Sequence, residues 1–287
     1  MKEKSDDMKN GTLFVVSTPI GNLEDITLRA LGVLKSVALI AAEDTRVTRK
    51  LLSNYGISTP LTSYFEHNEV KKAAFLLEKL REGADIAIVT DAGTPGISDP
   101  GYRIVRLAVE NGVRAVSVPG ASALTAALSV AGLPLDEFTF KGFVPAGQHA
   151  RKKFLLGLKI PEHTFIMYES ARRIKDTLKD ILDVIGDVEA VMARELTKLH
   201  EEVLRGRICA LAEKLKEREV KGEIVVILRT GDATRAAIIP ADEIENLLRE
   251  GFGLKEVVKA VAQEHDMPKS EIYKEALRVK ARLEKKE

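Results

Sequence analysis

A chain of 287 residues is long enough for about two domains with substantial cores. Hydrophobic residues at 45% and charged residues at 30% exclude a disordered or low-complexity protein, and a formal charge of +1 leaves any contact with an anionic partner to local clusters. The apolar run Val37 to Ala42 is too short to cross a bilayer and MKEKSDD at the start lacks the apolar stretch of a secretion signal, so a cytoplasmic protein with no membrane association is expected. The single cysteine, Cys209, excludes an internal disulfide; lying in the apolar stretch Ile208 to Leu211, it is expected to be buried rather than catalytic.

After a polar, frayed start, Thr12 to Ser17 is rich in β-formers and reads as a strand, followed by the loop S-T-P-I-G-N. Asp25 then opens a helix with apolar positions at Ile26, Ala30, Val33 and Leu34. Val37 to Ala42 forms the next buried strand, with Glu43 to Arg46 at its end. A helix through Leu51 and Leu52 stops near Gly56, Leu61 to Phe65 forms a short strand, and Asn68 caps a helix running to about Glu82. Ile86 to Val89 suits a buried strand and passes into T-D-A-G-T-P-G-I-S-D-P-G, residues 90 to 101. In an open parallel sheet ligands sit outside the carboxyl ends of strands, where Gly lets the backbone approach and Pro fixes its direction. Asp91 then stands at the mouth of a binding site, while Asp99 reads as the cap of the next helix, with Pro100 at its first position.

Beyond a helix to about Glu110, Val113 to Val118 forms another strand ending in Pro-Gly. Three strands that end in Gly/Pro loops, with helices between them, specify a parallel sheet with its loops on one edge, over residues 11–118. Residues 119–235 form a second α/β domain. There the short gap between the strands Val188 to Ala193 and Glu202 to Arg207 favours an antiparallel pair, and hence a mixed sheet. Residues 236–287 are helical: Leu254, Val257, Val258, Val261 and Ala262 follow helical spacing, Pro268 breaks the chain and Ser270 caps a last helix. This small unit suits either a helix-turn-helix reader of nucleic acid or a bundle docked on the main body.

No G-x-G-x-x-G follows the first strand and no G-x-x-x-x-G-K-[ST] occurs, which removes the best signals for dinucleotide and triphosphate sites. His67, His149, His163, His200 and His265 are scattered without ligand spacing, and no metal site is expected. Strand-end loops rich in Gly, Pro, Ser and Thr but poor in cations suit a folded small ligand held by backbone groups. Basic groups occur at Arg46, Arg49 and Lys50, at Arg151, Lys152 and Lys153, at Arg172 and Arg173, and at Arg205 and Arg207. Each alone reads as a solvated face and gains weight as a nucleic-acid contact only where the fold gathers it around a cleft.

The ordered motifs S-T-P-I-G-N-L-E-D (17–25), A-E-D-T-R (42–46), H-N-E (67–69), D-A-G-T-P-G-I-S-D-P-G (91–101), P-G-A-S-A (119–123), Y-E-S (168–170), R-E-L-T-K (194–198) and K-G-E (221–223) resemble the ribosomal RNA small-subunit methyltransferase I family, of the tetrapyrrole methylase fold. The resemblance implies S-adenosylmethionine folded in a cleft between two α/β domains, methyl transfer to the 2'-hydroxyl of a decoding-region cytidine in small-subunit rRNA, and a homodimer. It places the cofactor against Pro19, Gly21, Asp91, Gly93, Thr94, Ile97, Ser98, Ser122, Ala123, Tyr168 and Ala193. Glu43 to Arg46, His67 to Glu69 and Arg194 to Lys198 then face the RNA or the transferred methyl. After Y-E-S the family continues Pro-His-Arg, whereas this chain has Ala171, Arg172 and Arg173.

Methyl transfer from a sulfonium needs alignment of donor and acceptor more than acid catalysis, but a ribose hydroxyl gains from a base or from a cation at the developing alkoxide. Glu195 and Lys198, three apart beyond a strand, are candidates for these roles; the same spacing equally suits a salt bridge that holds the loop. An RNA acceptor recognised by shape and phosphate contacts suits the basic groups at 46–50 and 151–153, with Arg172 and Arg173 on the same surface. Two other readings stay open: a sister methylation of a tetrapyrrole or a modified protein side chain, and a non-catalytic RNA-binding assembly factor.

Overall fold

A computed structural model describes residues 10–231, 241–265 and 269–283. The expectations for the first nine residues, for a boundary near residue 235 and for a break at Pro268 lie outside these residues. The first half runs β1 (Thr12–Val16), α1 (Leu28–Ser36), β2 (Leu39–Ala42), α2 (Thr45–Asn54), β3 (Leu61–Ser63), α3 (Glu69–Arg81), β4 (Ile86–Val89), α4 (Tyr102–Glu110) and β5 (Arg114–Val118). These strands pair in parallel in the order β3-β2-β4-β1-β5. Every residue of β4 is buried. A parallel sheet covered on both faces selects such continuous apolar runs. Leu76, Leu80 and Ile104 of α3 and α4 cover one face, and Leu34 and Leu52 of α1 and α2 the other.

Two helix starts differ from the sequence reading. Leu23–Asp25 is a 3-10 turn, and α1 begins later because the Thr27 hydroxyl accepts the Ala30 N–H at 3.1 Å, capping the first turn. Asp99 and Pro100 do not open α4 either, since its N-cap is Gly101. The loop folds back so closely that a Cβ on Gly101 would lie 3.0 Å from the Gly96 nitrogen. That return turns Asp99 towards the cleft described below.

The second half continues with α5 (Ala123–Ser129), β6 (Phe138–Phe143), α6 (Gln148–Leu156), β7 (Thr164–Ser170), α7 (Ile174–Val184), β8 (Glu189–Arg194), β9 (Glu202–Arg207), α8 (Ile208–Leu215) and β10 (Glu223–Arg229). Its strand order is β6-β7-β10-β8-β9. The sheet is mixed as expected: β6 and β7 are parallel, and the remaining pairs, β8 with β9 among them, are antiparallel. One face packs on Leu155, Leu178 and Leu211 of α6, α7 and α8. Ile166, Val191, Val225 and Ile227 on the other face meet Ala127 and Leu128 of α5, and Ile20 from the loop after β1 joins them. The two sheets therefore share a core at that loop. Helices α9 (Ala241–Arg249), α10 (Leu254–Glu264) and α11 (Lys269–Leu283) close around Ile244, Val257, Val261, Ile272 and Ala276, a core of their own. No helix among the described residues is long and apolar enough to cross a membrane.

Two expectations fail on packing, and one cluster was not foreseen. Arg151 is buried with its Nε 2.7 Å from Asp180 Oδ2, so its charge is spent inside the fold and does not face RNA. Cys209 is exposed, not buried, because Ile208, Leu211 and Leu215 form the inward stripe of α8 and position 209 falls off it. Its thiol donates to Asp187 Oδ2 at 3.1 Å; that hydrogen bond raises its pKa and keeps it protonated. The fold also gathers His265 with Glu243 and Glu264, donor atoms within 4.8 Å of one another, where the sequence suggested only scatter. His265 Nε2 lies 2.7 Å from Glu243 Oε2.

Removing one partner of a buried pair leaves the other charged and desolvated, which costs about 3–5 kcal/mol. Asp180→Ala is therefore expected to destabilise the protein by that amount in denaturant titration, whereas Asp183→Ala, whose partner Lys152 is partly exposed, changes stability by less than about 1 kcal/mol.

Candidate active site

Loops at the carboxyl ends of β4, β1 and β5, adjacent strands, are tied to one another. The Thr18 N–H donates to the Gly93 carbonyl at 2.9 Å and the Gly93 N–H returns to the Thr18 carbonyl at 3.0 Å, an isolated two-bond bridge. Ser17 Oγ lies 2.7 Å from Thr94 Oγ1, and Thr94 Oγ1 donates to the Ala121 carbonyl at 3.2 Å. The Thr18 hydroxyl donates to the Thr90 carbonyl at 3.1 Å. Small hydroxyl and glycine residues are needed because these backbones nearly touch. A Cβ on Gly120 would lie 3.0 Å from Ser17 Cβ, and Gly93 has a φ of 83°.

These loops and the edge of the second sheet enclose a cleft of about 420 Å³, the size of a small-molecule site. Asp91, Gly93, Thr94, Ile97 and Ser98 line it from the β4–α4 loop, and Ser122 and Ala123 from the start of α5. Tyr168 of β7 and Ala193 of β8 close the opposite side. From the loop after β1, however, it is Ile20 that lines the cleft. Pro19 is buried, and Gly21 lies at the surface, where a Cβ would meet Lys198 Cγ at 2.4 Å. The sequence reading did not single out Leu196, Ile224 and Phe143, which give the cleft an apolar wall, nor Asp99 and Glu223 as ligand-facing groups. For Asp99, Leu196 and Glu223 the available signal was their membership of motifs at strand ends; Phe143 and Ile224 lie outside those motifs.

Carboxylates dominate the field. Asp91 N–H donates to Glu43 Oε2 at 3.3 Å, and Asp44 N–H donates to Asp91 Oδ1 at 3.0 Å. Burial pushes Glu43 and Asp91 above the usual carboxylate range, and their neighbouring negative charges add to it. Asp99 is pushed up to about 7, first by burial and then by Glu43, Asp91 and Glu223 around it. The cation facing this group is Lys198, whose Nζ is 2.9 Å from Glu195 Oε1 and 3.0 Å from Glu223 Oε2. Burial opposes its charge, but the hydrogen bonds to both glutamates raise its pKa and hold it protonated. Glu195 is held low in spite of burial by Lys198 and by the Glu223 N–H. The salt bridge foreseen between Glu195 and Lys198 thus exists, and it makes Glu195 a weak base.

The basic residues divide. Arg46 is exposed and bonds Asp44, whose carboxyl this hydrogen bond draws down to about 2. Arg49 and Lys50 line an open groove along α2 with Ser53 and Asn54. Arg46 and Arg49 follow the carboxyl end of β2 and the exposed His67 follows that of β3, which puts them beyond the loop-bearing edge of the sheet. Lys152 pairs with Asp183, and Lys153 and Arg172 are exposed. Arg173, expected at the RNA surface, instead binds the buried Glu169 at 2.6 Å. Arg205 donates to the Val130 and Ala131 carbonyls and Arg207 bonds Asp187, so both anchor loops. Glu69 of the H-N-E motif is nearly buried and pairs with Arg103 at 2.9 Å.

A cationic small molecule with a polar body fits this cleft: carboxylates complement its charge, backbone and hydroxyl groups of residues 93–98 meet its polar atoms, and Ile20, Leu196 and Ile224 exclude water. S-adenosylmethionine, with a sulfonium and an ammonium, is such a molecule. The family model described as Tetrapyrrole (Corrin/Porphyrin) Methylases matches residues 12–212, from β1 into α8, and the chain belongs to that family. A crystal structure of diphthine synthase shares the fold, with a TM-score of 0.58 at 16% identity over 77% of this chain and 90% of that one. Nearer relatives narrow the family to ribosomal RNA small subunit methyltransferase I. The protein of that name from Escherichia coli O157:H7 is 45% identical over 96% of this chain and 98% of its own length. Its counterpart from Thermotoga maritima is 47% identical, matching 98% of itself to 76% of this chain.

Gly222 separates backbone strain from damage to the site. Its φ is 92°, and an added Cβ would lie 2.2 Å from Glu195 Oε1, whereas Gly186, at 102°, has nothing within 4 Å. Gly186→Ala is expected to lose only the left-handed backbone cost of about 1–2 kcal/mol. Gly222→Ala loses more in the same thermal unfolding measurement and also lowers methyl transfer at least about tenfold, because the Glu195–Lys198 pair must move.

Proposed function

We propose that the protein transfers the methyl group of S-adenosylmethionine to the ribose 2'-hydroxyl of a decoding-site cytidine in small-subunit rRNA, as a cytoplasmic homodimer. The observation that carries this reading is a carboxylate-rich cleft into which one protonated lysine projects, at the loop-bearing edge of a chain 45% identical to a relative named for rRNA methylation. Bound S-adenosylmethionine supplies a methyl group on a cationic sulfur. Asp91, Gly93, Thr94, Ile97, Ser98, Ser122, Ala123, Tyr168 and Ala193 hold the donor, with Ile20 taking the part first given to Pro19 and Gly21.

An ammonium has three donors, and Lys198 uses two of them on Glu195 and Glu223. The third is available to the acceptor oxygen as negative charge develops there, while the two glutamates fix the direction of the ammonium. Arg46, Arg49, Lys50, His67, Lys153 and Arg172 supply phosphate and sugar contacts beyond the mouth, a mode of recognition that suits an RNA read by shape and 2'-hydroxyls. Helices α9, α10 and α11 close around a core of their own, and the match to the Thermotoga maritima relative takes in 98% of that protein but 76% of this chain. A second copy of the chain would cover some of the large apolar side chains left facing solvent, Leu28 and Leu199 among them.

The test is transfer of labelled methyl to small subunits that lack the modification, followed by nuclease mapping. One labelled ribose at a decoding-site cytidine is the expected product; donor binding without labelled RNA would return tetrapyrroles or a non-catalytic role to consideration. Lys198→Ala is expected to lower kcat by about 10²–10³ with donor affinity retained. Asp91→Ala abolishes donor binding in calorimetry, and wild-type affinity in that variant removes Asp91 from the site.

A further inference from the structure

The pairing of the cleft carboxylates leaves one of them apart. Glu43 accepts the Asp91 N–H, Asp91 accepts the Asp44 N–H, and Glu223 binds Lys198. Glu169 is committed to Arg173 and to the Thr177 hydroxyl at 2.6 Å. Glu195, outside these, is committed to Lys198 and the Glu223 N–H. Asp99 lines the same cleft and makes no hydrogen bond or ion pair with any described residue. Its position is fixed by backbone: Gly101, packed against Gly96, turns the chain there, and Ser98 holds a φ of 65° beside it. A half-buried carboxylate that is rigidly placed and unpaired contributes nothing to the fold by its charge, and burying it is unfavourable. Strain and unfavourable charge of this kind are retained where they serve chemistry.

Resting on the proposed methyl transfer to a hydroxyl, we propose that Asp99 is the general base for that reaction, a role for which Glu195 was the first candidate. As the acceptor oxygen forms its bond to the methyl carbon, the carbon–sulfur bond breaks and its electron pair goes to sulfur, turning the sulfonium into a thioether. The hydroxyl proton passes to a carboxylate oxygen of Asp99, which later releases it to solvent. The products are a methyl ether and the neutral thioether, so no further reactant is needed. Lys198 faces the same oxygen and stabilises its charge, and Asp99 removes the proton. The groups around Asp99 are Glu43 beyond β2, Asp91 beyond β4, Tyr168 on β7 and Glu223 on β10. Burial and the three carboxylates keep its affinity for a proton near neutrality, where a base can both accept and return one at working pH.

The experiment compares wild-type protein with Asp99→Asn and Asp99→Glu in three measurements: calorimetric binding of S-adenosylmethionine without RNA, single-turnover methylation at saturating donor and subunit from pH 5.5 to 8.5, and a carboxyl ¹³C NMR titration of the free protein. In the wild type, the rate is expected to rise through neutrality as the carboxylate ionises and then level off. A carboxyl resonance titrates in the same range and is absent from Asp99→Asn. Asp99→Asn binds the donor within about threefold of wild type, loses about 10²–10⁴-fold in rate and has a flat profile, and Asp99→Glu recovers part of the loss. The inference is overturned if Asp99→Asn keeps its rate within about threefold, or if its whole loss lies in donor affinity with the pH profile unchanged. It is overturned independently of any RNA if no carboxyl titrates near neutrality in the free protein. Failure of the wild-type protein to label any RNA, with that titration present, instead overturns the substrate assigned under the proposed function.

Discussion

The two hydrogen bonds between Thr18 and Gly93 are the constraint on which the site depends. They join the loops after β1 and β4, and through Ser17, Thr94 and Ala121 the junction extends to the loop after β5. A parallel sheet delivers its carboxyl-end loops to one edge but leaves their mutual arrangement open. Here that freedom is removed by bonds among the loops: the approach of Ser17 suits glycine at 120, the positive φ suits glycine at 93, and hydroxyl groups at 17, 18 and 94 make the links. Ile20 follows directly and enters the core of the second sheet. One loop therefore fixes the ligand-facing backbone on one side and holds the other wall against it.

Within that frame the charges explain one another. Several carboxylates share a cleft with one lysine, an arrangement that repels anions and is unfavourable when empty. The proposed sulfonium donor would relieve this charge on entering, and departure of a neutral thioether would restore it, so a field that favours the donor disfavours retention of the product. Pairing decides the roles. Glu195 and Glu223 are spent on orienting Lys198, and Arg46 neutralises Asp44 at the rim. Arg49 and Lys50, by contrast, line an open groove along α2, apart from the buried carboxylates.

Much of this was legible in the sequence because strand-end loops reveal themselves by composition. The run Ile86 to Val89 followed by Gly, Pro and Asp predicts a buried strand and a binding loop from local rules alone, and the mixed second sheet follows from the short gap before Glu202. The failures, Cys209 aside, involve tertiary partners. Asp99 followed by Pro100 has the local signature of a helix cap, but contact between Gly101 and Gly96 shifts the start of α4. Arg151 and Arg173 look like members of solvated basic groups until the fold brings Asp180 and Glu169 to them. Cys209 differs, since the inward stripe of Ile208, Leu211 and Leu215 was readable; counting apolar neighbours without their helical phase gave the wrong answer.

Backbone conformation gives an independent argument for where function lies. Among the described residues, Ser98, Glu195, Thr197 and Glu162 are the non-glycine residues with positive φ. Side chains other than glycine enter that region only where the surroundings over-determine it. Ser98 precedes Asp99, and Glu195 and Thr197 flank the turn that presents Lys198, with the Thr197 hydroxyl accepting the Asn22 N–H at 3.0 Å from the loop after β1. Three of these four residues thus lie beside one cleft, next to Asp99 on one wall and Lys198 on the other. A turn built only to connect β8 and β9 could relax to glycine at 195 and 197 and be more stable for it. What glycine could not provide is the Glu195 carboxylate that aims Lys198 or the Thr197 hydroxyl that ties this turn to the first loop. The unfavourable conformations are therefore explained by the position of the lysine rather than by the path of the chain.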